Sequence, residues 1–341
     1  MSTKSFLSIA DRGRSSCVIF PGALGDFICF LPALQMLAEI SPVDLFARSE
    51  FAELAPNDVA VYSLEHPEIG RLFGGRSGGG VTTLDFAKYR AVYSWHGSGS
   101  REFNERLQAA ASGRAQVFPF RPSIAGIHQA DYYARCLYAI AAPVRPVVAV
   151  RDDALGWCAQ YWRQRSLEHH AVLALAPGSG SREKNWPEEF FVEISRWWQQ
   201  AIGGTVLLLE GPVEEERGGT QRLRECCVTL SGLTLSKLAA VLSRSQLVLG
   251  NDSGVTHLAA AVGVPTVALF GPSDPAQWAP RGPSVVILRR ALDCSPCADL
   301  SMKRCPHRAC LTEFSPRDVI AALGRLPQVV TLTRFRAGIT V

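Results

Sequence analysis

The stretch 247–272 constrains this chain most. It runs from an apolar segment, Leu247-Val248-Leu249, through Gly250-Asn251-Asp252-Ser253-Gly254 into a helical segment that carries His257. It returns through Gly263-Val264-Pro265 to a second apolar segment at 266–270. Short apolar runs joined in this way spell a strand–turn–helix–strand unit. Its polar residues gather where the first strand hands over to the helix. In open α/β sheets ligands bind at that edge, and free backbone N–H groups at a helix N-terminus suit phosphate. A nucleotide-handling crevice is the first expectation.

The rest of the chain repeats the unit. Strands are expected at 17–20, 43–47, 59–63 and 91–95, helices at 27–39 and 128–141, and a mobile Gly- and Arg-rich loop at 71–80. Pro143 and Pro146 interrupt this series, and a connecting helix is expected at 154–165. Strands at 172–176, 205–209 and 285–288 then alternate with helices at 187–200, 214–225, 235–243 and 316–323. Pro187 is suited to a first helical turn. Two such series imply an α/β protein with two doubly wound, Rossmann-like domains facing each other across a cleft. The expected bounds are 1–150 for the first domain, 151–170 for a linker helix, 171–315 for the second domain and 316–341 for a C-terminal helix and tail. One hydrophobic core seldom organises 341 residues, which supports the division.

Hydrophobic residues make up 47% of the chain and charged residues 19%, which excludes a disordered protein. A net charge of +4 fits an anionic substrate or peripheral contact with an anionic membrane, but is too weak to argue for nucleic acid. The first sixteen residues have no sustained apolar core and carry Asp11, so they do not read as a signal peptide. No apolar run reaches the roughly 18 residues that cross a bilayer. A cytoplasmic protein is expected, with its ten cysteines mostly reduced and no disulfide framework.

Four constellations can carry chemistry. In Gly22-Ala23-Leu24-Gly25-Asp26, the glycines Gly22 and Gly25 form a turn that lets backbone approach a ligand. Asp26 is there either a helix cap or a general base. In 177–187, Ser179, Ser181, Arg182 and Lys184 bring hydroxyls and cations to a strand end before a helix, an arrangement suited to phosphate. Neither loop is a Walker A or G-x-G-x-x-G motif. In the opening stretch, Asp252, Ser253 and Gly254 present a hydroxyl and consecutive N–H groups to a diphosphate, with His257 one turn on. Cys294, Cys297, Cys305 and Cys310 have spacing suited to a structural zinc or iron bound by sulfur, with free thiols or a disulfide as the alternatives. Four thiolates would leave no open position for catalysis, so no catalytic metal is expected.

The blocks PGALGDFICFLPAL at 21–34, PGSGSREKNWPEEFF at 177–191 and GNDSGVTHLAAAVGVPTVALFGPSDP at 250–275 resemble glycosyltransferase family 9, the ADP-heptose:lipopolysaccharide heptosyltransferases. The resemblance runs over most of the chain in the right order. It implies the GT-B architecture, with an acceptor-binding N-terminal domain, a nucleotide-sugar-binding C-terminal domain, inversion at the anomeric carbon and no catalytic metal. Position by position, it implies Asp26 as general base and Ser179 and Lys184 as phosphate contacts. Glu214 then holds the adenosine ribose, the Leu233 backbone meets adenine, and Asp252, Ser253, Gly254 and His257 form the diphosphate turn. Gly180 stands where some members carry a second hydroxyl. A cysteine cluster recurs in part of the family, including relatives that glycosylate proteins and bind iron.

The expected reaction is transfer of a heptose or related sugar from an ADP-sugar to a hydroxyl of a glycan acceptor, in lipopolysaccharide core biosynthesis. Lys184, Ser179 and the Ser253-Gly254 N–H groups would stabilise the departing diphosphate. The acceptor expected from the resemblance is lipid-linked at the inner membrane face. Arg71, Arg76, Arg101 and Arg121 are candidates to meet its phosphates. Competing readings are a protein heptosyltransferase, a nucleotide-sugar epimerase or hydrolase on the same scaffold, and a non-catalytic sugar-nucleotide or metal-binding protein.

Overall fold

The structure, a computed structural model, describes residues 15–74, 84–124 and 126–336, leaving aside the side chains of 213, 217, 299, 300 and 335. It divides into two compact units, residues 1–144 and 145–341.

In the first unit five parallel strands are ordered β3-β2-β1-β4-β5: β1 Ser16–Ile19, β2 Val43–Ala47, β3 Val59–Ser63, β4 Ala91–Ser94 and β5 Ala115–Val117. The order reverses beside β1, which pairs with β2 on one side and β4 on the other. The helix Leu24–Ala38 follows β1 and buries Phe27, Ile28, Phe30, Leu31 and Leu34, because it carries apolar residues on almost every side. It begins three residues earlier than its apolar run suggests. Gly25 is therefore a helical residue and not part of the turn, and Asp26 is the third residue of the helix. Gly22 alone answers the expected need for glycine, since a Cβ there would meet the Asp26 Cβ at 2.6 Å and the Phe20 ring. Phe20, Phe30, Trp95 and Tyr133 pack as an aromatic cluster behind this turn. The helix Pro67–Leu72 takes in Arg71, and residues 75–80 of the expected loop lie outside the described residues.

In the second unit six parallel strands are ordered β11-β10-β9-β6-β7-β8: β6 Val172–Ala176, β7 Thr205–Leu209, β8 Val228–Leu230, β9 Leu247–Asn251, β10 Thr266–Phe270 and β11 Val285–Arg289. Counted in chain order this is 3-2-1-4-5-6, the dinucleotide-fold order. The central strands are buried on both faces, which is why they read as unbroken apolar runs. The expected helix at 214–225 is two helices, Pro212–Arg217 and Gln221–Cys226, separated at Gly218 and Gly219, both of positive φ. The helix expected over 187–200 is α-helical over Glu188–Trp197 and widens to a π-turn at Trp198–Ile202.

The expected linker and tail are built into this unit. The helix Asp152–Gln164 packs on the helix Leu235–Arg244, with the Cys158 thiol against the Ala240 carbonyl at 3.5 Å. Val319 and Leu323 of the helix Pro316–Leu323 enter the same core as Trp186, Phe191 and Trp198. Each helix has one apolar stripe that needs a partner, and the second sheet supplies it. Among the described residues no helix is long and apolar enough to cross a membrane.

Candidate functional site

The strand order of the second unit reverses between β6 and β9, so the loops after these strands are neighbours. Ala176 pairs with Gly250 at the last rung of the ladder. Asn251, fully buried, joins the loops: its Nδ2 donates to the Pro177 carbonyl at 2.6 Å and its Oδ1 accepts the Trp186 N–H at 3.1 Å. In the sequence, Asn251 is marked only by its position between a strand and an acidic turn. Lys184 lies between these anchors, in the short turn Arg182–Lys184, and its Nζ is 2.9 Å from Asp252 Oδ2. Asp252 is buried while Lys184 stays partly exposed, so the carboxylate aims the ammonium and leaves it hydrogen atoms for a ligand.

Ser179 is buried, with Oγ 2.6 Å from both the Ser181 carbonyl and Asn185 Oδ1. Its one proton therefore serves the loop's own fold. Ser253 precedes the helix Gly254–Val262, and its buried hydroxyl has no partner among the described residues. Gly254 opens that helix, where N–H groups lack helical acceptors. His257, the fourth helical residue, is 4% exposed and donates its backbone N–H to the Ser253 carbonyl.

Two acidic residues follow β7, and the structure separates their roles. Glu210 is buried, pairs with Arg224 Nε through both oxygens at 3.0 and 3.1 Å, and also bonds Thr220. Glu214 is the third residue of its helix and accepts the Gly211 N–H at 2.9 Å. Its carboxylate occupies the space that a Cβ on Gly178 would need, which brings it onto the loop after β6. Leu233 is half-buried beyond β8, beside Gly232 of positive φ. Ser179, Lys184, Glu214, Asp252, Ser253, Gly254 and His257 thus lie in the segments that follow three adjacent strands, β7, β6 and β9.

The first unit has its own reversal, between β1 and β4. Asp26 lies just beyond β1, and both of its oxygens are engaged: Oδ2 accepts the Ala23 N–H at 3.1 Å and Oδ1 pairs with Arg121 Nη1 at 2.8 Å. Arg121 lies over the Phe120 ring at 4.2 Å and 3.4 Å from the Tyr133 hydroxyl. Of the other candidate arginines, Arg71 pairs with Glu68 and Arg101 with Glu105, and Arg76 lies outside the described residues. His96 ends β4's run against Phe73 at 4.7 Å, and burial lowers its pKa.

The four cysteines of 294–310 do not form the expected sulfur site. Among the described residues no three His, Cys, Asp or Glu side chains are placed to hold a metal ion. Cys294 is exposed, Cys297 and Cys305 are half-buried and Cys310 is buried. They still sense one another: burial first, and then the neighbouring thiols, push the Cys310 and Cys297 thiols up.

Comparison with known proteins gives a profile match in the second unit and structural matches over both. The sequence profile of glycosyltransferase family 9 (heptosyltransferase) matches residues 152–305. Lipopolysaccharide heptosyltransferase 1 of Pseudomonas aeruginosa is 34% identical over 115 residues, 33% of this chain and 32% of that protein. The matched stretches span 32%, 38% and 49% of three such curated relatives' own lengths. Among solved structures, the glycosyl transferase family 9 protein of Veillonella parvula superposes with a TM-score of 0.70 at 19% identity, covering 95% of this chain and 98% of that one. The ADP-heptose lps heptosyltransferase II of E. coli gives 0.68 at 17% identity, covering 95% and 99%. These likenesses extend over both sheets and identify the two-Rossmann-domain, GT-B fold. The profile of glycosyltransferase family 9 lies across the strands that carry Lys184, Glu214 and Asp252, so the likeness to that family falls on the candidate site itself.

Proposed function

We propose that this chain is a glycosyltransferase that moves a heptose or related sugar from an ADP-sugar to a hydroxyl of a glycan acceptor, with inversion, in lipopolysaccharide core assembly. The observation that carries the reading is the ion pair at the strand-order reversal of the second sheet. There Asp252 holds Lys184 at 2.9 Å, beside the unpartnered Ser253 hydroxyl and the N-terminus of the helix Gly254–Val262. A fixed cation and free donors at one sheet edge stabilise the charge that develops on a departing diphosphate without reorganising. Glu214, in the first turn of the helix after the neighbouring strand β7, holds the ribose, and the Leu233 segment beyond β8 takes the base. The likeness in fold to the ADP-heptose lps heptosyltransferase II of E. coli supports this donor.

The base belongs to the first unit. Asp26 takes the acceptor hydroxyl's proton as that oxygen attacks the anomeric carbon opposite the diphosphate, which inverts the centre. No metal enters these steps; the residues named supply both the base and the charge stabilisation. The acceptor is a glycan borne on lipid, so contact with the inner membrane face is peripheral.

Asp26→Asn tests the assignment cleanly. Asparagine keeps an oxygen for the Ala23 N–H, and so keeps the helix start, but cannot take a proton. ADP binding should be unchanged by calorimetry, while turnover falls about 10²–10⁴-fold, the usual contribution of a placed base. Turnover within threefold of the unsubstituted chain would remove Asp26 from the role. A screen of ADP-, GDP- and UDP-sugars by thermal shift, with mass spectrometry of products, tests the donor.

A further inference from the structure

The cysteine segment has a second set of contacts, all on the loops that shape the diphosphate site. Ser295 Oγ donates to the Gly271 carbonyl at 2.6 Å, and the Cys297 N–H donates to the Pro272 carbonyl at 2.8 Å, both in the loop after β10. Arg308 Nη1 donates to the Arg182 carbonyl at 2.9 Å, in the turn that ends on Lys184. Trp186, which closes that loop, donates its indole N–H to the Phe314 carbonyl at 2.8 Å. The segment therefore grips the loop after β6 and the loop after β10, on either side of β9.

Arg308 is the unusual residue in this grip. Its backbone is left-handed, φ +46° and ψ +43°, a conformation that side chains other than glycine seldom adopt without a local reason. The conformation is held from both directions. Its N–H donates to Cys305 Sγ at 3.3 Å, and its carbonyl accepts the Leu311 and Thr312 N–H groups at 2.8 and 3.0 Å. Leu311 is buried and packs against Gly271, where a Cβ would meet Leu311 Cγ at 2.6 Å. The guanidinium is thus aimed at the Arg182 carbonyl by a chain segment anchored in the core.

We propose that Arg308 is a positioning residue for Lys184, and that the 294–310 segment serves to brace the diphosphate site. Lys184 is a long, flexible side chain whose far end is fixed by Asp252. Its near end is fixed by the turn that Arg308 holds, two residues away. With both ends set, the ammonium meets a β-phosphate without first being ordered, and the preference for a diphosphate over a monophosphate depends on that order. This rests on the donor-site reading above.

The test compares ADP with AMP by calorimetry on the full chain, so that the affinity ratio isolates the second phosphate. Lys184→Gln, which keeps a donor for Asp252, should lower the ADP-over-AMP ratio about tenfold, the value of one charged hydrogen bond. Arg308→Ala should lower it about three- to tenfold, and the double variant should match Lys184→Gln alone, because Arg308 acts through Lys184. If Arg308→Ala does not fold, Arg308→Gln, which is too short and uncharged to hold the Arg182 carbonyl in the same way, must show the same loss and the same non-additivity. An unchanged ratio in the foldable Arg308 variant, or losses that add, would overturn the inference and leave the donor site standing. An unchanged ratio in Lys184→Gln would overturn the donor-site reading itself, and this inference with it.

Discussion

Replacing Asn251 with alanine should loosen the donor loops without touching any ligand. The side chain is fully buried and makes two bonds, donating to the Pro177 carbonyl at 2.6 Å and accepting the Trp186 N–H at 3.1 Å. Pro177 and Trp186 are themselves buried, so water does not replace the lost partner. A buried polar group left unpaired costs about 1–3 kcal/mol, and two of them give about 2–6 kcal/mol for Asn251→Ala. Asn251→Asp should cost at least as much. It can still accept from Trp186, but it sets a carboxylate oxygen against the Pro177 carbonyl and buries a charge. Urea unfolding gives the global loss, but a chain of two units need not unfold in one step. Hydrogen exchange at the Trp186 amide reads the local effect directly. Its protection should fall by the same free energy, and ADP affinity should fall with it. A loss below about 1 kcal/mol, with Trp186 protection unchanged, would show that something other than Asn251 holds the loops together.

Ser253→Ala should separate ligand binding from stability. Its hydroxyl has no partner among the described residues, so stability should stay within about 0.5 kcal/mol while ADP affinity falls about tenfold, measured by melting and calorimetry. A melting loss with unchanged ADP affinity would assign the hydroxyl to the fold. His96 should give the first unit an acid-sensitive contribution. Burial lowers its pKa below the ordinary 6.5, so the unfolded chain binds the proton first as pH falls. That stability is present above pH 6.5 and is lost below it; the slope of melting temperature against pH between 5 and 6.5 should flatten in His96→Gln. An equal slope in the variant would exclude His96 as the source.

Strand and helix positions were largely legible because the central strands of both sheets are buried on two faces and therefore appear as short apolar runs between glycine- and proline-bearing turns. The run at 247–251, its turn and the return at 266–270 could be placed on that pattern alone. The helix Arg101–Ala110 and the strand Ala115–Val117 were not read, since one is largely polar and the other only three residues long. The break at Gly218 and Gly219 was legible as an adjacent glycine pair, but the charged residues on both sides of it suited one continuous helix.

The pairings that make a site came from elsewhere. Lys184 meets Asp252 across 68 positions, Asp26 meets Arg121 across 95 and Arg308 meets Arg182 across 126. Local pattern identifies residues that can carry charge, but it holds no information on which distant loop will lie beside them. Glu210 and Glu214 look alike in the chain; burial against Arg224 commits the first to the fold and leaves the second at the loop after β6. The cysteines carry the sharper lesson. Their spacing suited a metal, while among the described residues no metal-holding group forms there and the segment bonds instead to the loops around β9. Spacing along the chain set which groups were available, and packing of the sheets set which of them meet.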